Sequence, residues 1–267
     1  MVVVKVADTE STDNLFDRVS VEKISAGFLQ DGWLSINSVI SLDALNLAQR
    51  EIQGYISGIE ERNRNGFNLQ VGDKRYMEII KVCPPFDDCR LLAAPKVLQV
   101  LISLLGEDLV LNSYTSVISL PGSQDQGVHR DGEPLFGESI CASLPPHAIT
   151  VAIPLVDIDK LCGSTAIWGR SHIEEFSAVK DQNGALLPAT APFPKLGDVY
   201  MFDYRLKHAG MANHSSLARP ILYIVFSKPW WIDPINFRNQ KPVAISKADL
   251  TCIPSRIKSL FRLVDPL

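Results

Sequence analysis

The sequence lacks several features that would settle its class quickly. No apolar run approaches the length needed to cross a bilayer. The opening MVVVKV is short and soon followed by the acidic DTESTDNLFD, so no secretory leader is expected. Five cysteines stand at positions 83, 89, 141, 162 and 252, an odd number with no CxxC pair. That excludes a disulfide framework or a zinc knuckle and points to reduced thiols in the cytoplasm. Excess positive charge is also missing: the net charge is −4 and the pI about 5.7, which argues against a nucleic-acid partner held by a broad basic field. There is no internal repeat and no Gly/Ser/Pro-rich linker to divide the 267 residues. No HExxH places a histidine pair on a helix. What remains is one domain with 46% hydrophobic residues and ample material for a core.

Helical patterns come first along the chain. After a polar, aperiodic arm over residues 1–20, Ser20 is placed to cap a short helix ending near Gly32, and WLSINSVI reads as a strand. From Ser41 a longer helix is predicted through SLDALNLAQREIQGYISGIEERN, because Leu45, Ala48, Ile52, Tyr55 and Ile59 recur at three- and four-residue steps. FDDCRLLAAPKVLQVLISLLGED reads as one or two helices, restarted at Pro95 and closed by Gly106. From residue 108 the character changes. LVLNSYTSVISL, AITVAIPLVDI, STAIWG, DVYMFDY and ILYIVFSKPWW are short and rich in β-branched and aromatic residues, with turn-forming stretches between them. The expected fold class is therefore mainly β: a jelly roll over 107–232, braced by mostly helical residues 21–106 and followed by a C-terminal extension, 233–267.

The chemistry starts at GVHRDGEPLFG. His129 and Asp131 are two apart, and in an extended strand such residues share a face. They are either a salt-bridged surface pair or two of three ligands of a metal. A third ligand must lie far along the chain. Of the other histidines, His147 follows LPP in a loop, His172 ends WGRSH, and His214 lies in the polar turn NHSS; these three read as structural or surface residues. His208 alone ends an apolar strand, 79 residues after His129. Two imidazoles and a carboxylate on one face of an octahedral ion leave open positions, a set suited to non-haem Fe(II). Arg219, eleven residues after His208, opens the apolar strand RPILYIVF, where burial is costly unless an anion pairs with it. A dicarboxylic cosubstrate bound to the metal at one end is such an anion.

HxD, GDVYMFDYRLKHAGMANHS and ARPILYIVFSKPWW together resemble the phytanoyl-CoA dioxygenase (PhyH) family, Fe(II)- and 2-oxoglutarate-dependent oxygenases built on a cupin-like double-stranded β-helix. Within it, the chain looks most like the branch that oxidises specialised metabolites such as fungal terpenoid, meroterpenoid and indole products. The resemblance implies His129, Asp131 and His208 as iron ligands, and Arg219 on the distal carboxylate of 2-oxoglutarate. It adds Gln126, Thr165 and Arg75 as residues of the cosubstrate pocket. It also implies O₂ as cosubstrate, succinate and CO₂ as products, and oxidation of a C–H bond in a mostly apolar small molecule. The carboxylate at Asp131 favours oxygenation over halogenation. EPLFGESICASLPP and MANHSSLARP are the expected lids, with Cys141 and Cys162 close by. Related enzymes pair and share a lid loop, so a homodimer is one expected assembly. Two departures concern one loop: the family's PGSH is Gly169-Arg170-Ser171-His172, and its NG is Cys162-Gly163. The competing reading is a metal-binding cupin-like protein, or an idle subunit of a heteromeric oxygenase.

Overall fold

Apolar periodicity sets the helices of the N-terminal half. The computed structural model describes residues 2–4 (backbone alone), 15–132, 135, 136, 140, 143–173, 185–233, 235–238 and 240–267. Helix α1 (Arg18–Asp31) is capped by Asp17, whose carboxylate accepts from the Ser20 amide at 2.9 Å, and it ends at Gly32 in the left-handed region (φ 79°). The cap is thus three residues earlier than Ser20, which donates to it instead. Aspartate is as good an N-cap acceptor as serine, and its charge complements the helix N-terminus. The predicted long helix is two, α2 (Leu42–Ile56) and α3 (Ile59–Arg64), because Gly58 between them takes φ 72°. Leu45, Ala48, Ile52 and Ile59 form the buried stripe as expected, joined by Ala44, while Tyr55 is only partly buried. Helix α4 (Cys89–Leu92) is followed by α5 (Pro95–Leu105), with Pro95 in the first turn and Gly106 beyond the end.

The strands are β1 (Val2–Val4), β2 (Trp33–Ile36), β3 (Leu69–Gly72), β4 (Arg75–Ile79), β5 (Val110–Ser119), β6 (Ala148–Pro154), β7 (Thr165–Ile167), β8 (Val199–Asp203), β9 (His208–Gly210) and β10 (Arg219–Ser227). Eight form one sheet in the order β1-β2-β8-β6-β10-β5-β4-β3, antiparallel except for the β1/β2 pair. A small second sheet, β7 with β9, is widened by single bridges from His129 to His208 and from Ile167 to Thr190. The two sheets are the two walls of a jelly roll. Several sheet members lie outside the span assigned to the β-core: β2, β3 and β4 come from the stretch expected to be mostly helical. Val2–Val4, expected in a loose arm, pair with Leu34, Ser35 and Ile36; a run of β-branched residues suits that edge.

Alternation along the central strands separates two environments. Tyr76, Tyr114, Ile118, Val151, Leu222, Ile224 and Phe226 point one way, into a continuous core with Phe28 of α1, Leu45 of α2 and Val97 of α5. Each such aliphatic or aromatic side chain contributes about 1.5–3 kcal/mol of burial. The residues between them, Arg75, Met77, Thr115, Val117, Tyr223 and Val225, point the other way and line a cavity of about 580 Å³ between the sheets. The C-terminal extension belongs to the same core, which Val243, Ile245, Ile253, Ile257, Leu260 and Phe261 join. Among the described residues, no helix is long and apolar enough to cross a membrane.

Candidate metal centre

His129, Asp131 and His208 meet in this cavity, one donor atom from each lying within 4.8 Å of the others. His208 is the first residue of β9, reached by a tight turn after β8. The turn is fixed by the Leu206 amide on the Asp203 carbonyl (2.8 Å) and by the Arg205 guanidinium on the Asp203 carboxylate (2.7 Å). His129 is brought alongside by reciprocal backbone bonds with His208, of 3.0 and 2.9 Å. The strand expected at 129–131 is therefore a single bridge, and Asp131 lies in a bend beyond it.

Both imidazoles are oriented in the same way. Nδ1 of His129 is 2.9 Å from the Gly127 carbonyl, and Nδ1 of His208 is 3.0 Å from the Leu206 carbonyl. A carbonyl can only accept, so each Nδ1 carries a proton, which leaves Nε2 as the ring atom that can hold a cation. Nε2 of His208 lies 3.4 Å from Oδ1 of Asp131, and the Thr150 hydroxyl donates to Oδ2 at 3.4 Å. Burial, then the neighbouring His208, lowers the pKa of His129. At Asp131 burial works against the charge, but the two histidines outweigh it and hold the carboxyl below its usual range. At His208 burial likewise opposes the charged form, and Asp131 overcomes it and raises the pKa. Two imidazoles, each able to give up a proton at Nε2 to a metal, and one carboxylate, sharing one face, are a donor set for a divalent cation.

The same cavity holds a second charged feature. Arg75, Ser119 and Arg219 occupy one cross-strand row, since Ser119 of β5 is in register with both arginines. Both guanidiniums donate to the Ser119 hydroxyl (2.8 Å from Arg75, 2.9 Å from Arg219) and to the Met211 carbonyl (2.8 and 3.1 Å). Arg219 also donates to the Cys162 carbonyl at 2.8 Å, while its buried Nε has no partner among the described residues. Neither arginine forms a salt bridge among the described residues. Burial, with repulsion from Arg219, pushes the Arg75 pKa down to about 10. Glycine makes room for this pair: a β-carbon at Gly163 (φ 73°) would sit 2.9 Å from Arg219 Nη1, and one at Gly210 2.9 Å from Arg75 Nη1. Two buried, adjacent cations without a carboxylate form a cradle for an anion.

The remaining candidates divide. Gln126 lines the cavity, but its amide ties β9 to β3, accepting from the Gly210 amide (2.9 Å) and donating to the Val71 carbonyl (2.5 Å). Thr165 is buried in the wall, its hydroxyl 2.9 Å from that of Tyr200 and 3.2 Å from that of Tyr223. The Cys162-Gly163 departure thus keeps Thr165 in the cavity wall and supplies the carbonyl that holds Arg219. At the other departure, Arg170 adopts φ 69°, a conformation glycine takes without strain. Cys141 and half of EPLFGESICASLPP lie outside the described residues.

The other histidines differ from expectation at two positions. His147, expected at the surface, is buried (4% exposed), with its ring 5.2 Å from that of Trp231. A loop residue after two prolines is usually exposed; here the Trp230-Trp231 corner folds over it. His172, read as structural or surface, is buried and bonds not within its own turn but to the Leu29 carbonyl of α1, at 3.1 Å. His214 is exposed. Burial pushes the His147 pKa down to about 4, against the small opposing pull of Asp203. A histidine kept neutral in the fold but charged in the unfolded chain destabilises the fold as pH drops below the unfolded value. Its effect begins near pH 6.5 and levels off near 4. The expected loss is about 2 kcal/mol by pH 5, and His147→Gln should flatten that slope in urea titrations at several pH values. An equal slope in the variant would assign the acid sensitivity to another group.

Sequence reasoning missed Tyr204, Thr150, Tyr223, Asn236 and Phe237, all lining the cavity. Tyr223 carried a signal, because it follows Arg219 by an even number of residues on one strand. Thr150 lies inside the apolar strand β6, and Tyr204, Asn236 and Phe237 come from turns with no such periodicity.

No protein-family profile matches the chain. Solved structures do share its fold. SnoN, a non-haem alpha-ketoglutarate-dependent epimerase from nogalamycin biosynthesis, superposes with a TM-score of 0.60 at 15% identity, over 79% of this chain and 82% of that one. HygX from Streptomyces hygroscopicus, solved with nickel and 2-oxoglutarate bound, gives 0.56 at 14% identity over 82% and 89%. The non-haem monooxygenase ThoJ, solved as a nickel complex, gives 0.55 at 20% identity over 78% of each chain. The chain thus has the double-stranded β-helix fold of these proteins.

Proposed function

We propose that this protein is a non-haem Fe(II)- and 2-oxoglutarate-dependent oxygenase of the PhyH family, in the branch that oxidises specialised metabolites. One observation carries the reading: a single cavity contains both a convergent His–Asp–His donor set and a buried arginine pair with no salt-bridged carboxylate among the described residues. A ligand that is an anion at one end and a metal chelator at the other satisfies both, and 2-oxoglutarate has that form. The fold neighbours support it, since SnoN is described as alpha-ketoglutarate-dependent and HygX was crystallised with 2-oxoglutarate. When bound, the metal would supply O₂ activation coupled to decarboxylation of 2-oxoglutarate to succinate and CO₂.

The protein's own part is placement. His129, Asp131 and His208 would hold one face of the ion and leave the others to exchangeable ligands. Arg219 and Arg75 would fix the distal carboxylate, and the hydroxyls of Thr165 and Tyr223 border it. Leu69, Val71, Met77, Val117, Val225 and Phe237 give the rest of the cavity an apolar wall, with Ser113 and Thr115 as the small polar groups. Such a lining suits a mostly hydrophobic molecule carrying a few oxygens. The proposed reaction is oxidation of one of its C–H bonds; with a carboxylate at Asp131, oxygenation is favoured over halogenation.

The test is anaerobic. Fe(II) followed by 2-oxoglutarate added to metal-free protein should produce the weak visible charge-transfer band of a metal-bound 2-oxo acid, and admission of O₂ should yield succinate. Iron binding without that band would transfer the reading to a metal-binding cupin.

A further inference from the structure

The two histidines are fixed by strand pairing, but Asp131 is not. It lies in a bend two residues past the last bridge, and among the described residues its carboxylate has only two long contacts, from the Thr150 hydroxyl and from Nε2 of His208, each 3.4 Å. Its placement depends on what grips the bend from outside. Gly132 lies flat on Tyr204, where a β-carbon would meet the ring at 2.8 Å. Tyr204 is buried and stands edge-on to Trp231, with ring centroids 5.0 Å apart. From the chain beyond β10, Nδ2 of Asn236 donates to the main-chain carbonyl of Asp131 at 2.8 Å. The same amide lies 3.0 Å from the Tyr204 hydroxyl and 2.8 Å from Oδ2 of Asp233. The Tyr204 hydroxyl donates to that Asp233 oxygen as well. Asp233 Oδ1 in turn accepts from the amides of Ile235 and Asn236, at 2.8 and 2.9 Å, which shapes the turn carrying Asn236. An amide nitrogen has two hydrogens. One is committed to Asp131, and the other is shared between Tyr204 and Asp233.

We infer that Asn236 is a positioning residue for the metal centre: by holding the Asp131 carbonyl, with Tyr204 and Asp233 behind it, it sets the carboxylate against the two histidines. This rests on the reading of the triad as a metal centre, and it assigns part of that centre to a segment expected only as a C-terminal extension. Phe237, the next residue, lines the cavity, so one short turn both forms cavity wall and fixes a ligand.

The probe is Co(II), titrated by calorimetry and by its visible d–d spectrum, into the full-length protein. Asn236→Ala removes the bond, and Asn236→Asp keeps the size but sets a carboxylate against a carbonyl and Asp233. Both are expected to weaken Co(II) binding 10- to 100-fold, the usual effect of losing an outer hydrogen bond to a ligand, and to alter the d–d spectrum. Metal-free melting temperature should stay near that of the wild type. Asp233→Asn, which leaves Asn236 its donor, should give a smaller loss. Wild-type affinity and spectrum in folded Asn236→Ala or Asn236→Asp would overturn the inference while leaving the metal centre in place. A loss no greater than the accompanying fall in melting temperature explains would also overturn it, by making the role purely structural. Failure of the wild type to bind Co(II) would remove the metal-centre reading and this inference together.

Discussion

His208→Ala is expected to weaken binding of a divalent metal at least a hundredfold, about 2.7 kcal/mol or more, and to abolish the charge-transfer band with 2-oxoglutarate. The size of the effect follows from how the site is built. His208 opens β9, its backbone holds His129 in place, and its Nε2 is 3.4 Å from Asp131. Alanine keeps the backbone pairing but removes the donor most enclosed by protein. Two ligands would remain, one of them on a bend. A small stability loss is expected too, because the ring packs 4.8 Å from Phe202. The matched control is His214→Ala, which removes an exposed imidazole six residues on and should leave affinity unchanged. Calorimetry with Ni(II) or Co(II) on both variants decides it. Wild-type affinity in His208→Ala would place the metal somewhere other than this cavity.

The triad was legible in the sequence because each member carries a local signal: two apart for His129 and Asp131, the end of an apolar strand for His208. Arg219 was legible for the opposite reason, as a charge where burial is expensive. Other features depended on tertiary contacts. Nothing local distinguishes Asp17 from Ser20 as a cap, since both are good acceptors; a distant contact, the Gln99 amide of α5 on the Phe16 backbone, holds the chain just before Asp17. Gly58 looked tolerable inside a helical pattern, yet the chain takes the left-handed conformation there and turns. His147 looked exposed because its neighbours are prolines, and only the return of Trp230-Trp231 from β10 covers it. Asn236 and Tyr204 gave no signal, because a turn residue that hydrogen-bonds to a distant carbonyl has no periodicity to betray it. β2, β3 and β4 were separated from the rest by helices, which hid their place in the large sheet.

Arg219→Ala is expected to weaken 2-oxoglutarate binding 100- to 1,000-fold, about 3–4 kcal/mol, while leaving metal affinity within a few-fold of wild type. The two guanidiniums share the Ser119 hydroxyl and the Met211 carbonyl, deep in the sheet. They repel, and Arg75 shows it, held down to about 10 by burial and by Arg219. A carboxylate entering the cradle relieves that repulsion and takes charge-assisted bonds in a poorly screened setting, so the affinity gain exceeds that of an exposed pair. Removing one arginine forfeits both terms. Arg219→Lys keeps the charge but loses the planar fork, so it should recover only part of the affinity. Arg75→Ala should show a smaller loss, and the double variant should cost less than the two single losses added, because the partners are shared. Calorimetry of 2-oxoglutarate on the Ni(II)-loaded proteins measures all four. Succinate, which keeps the distal carboxylate but lacks the keto group, should lose affinity in step with 2-oxoglutarate. If it does not, the cradle binds something other than that carboxylate, and the arginine pair must be assigned to the organic substrate instead.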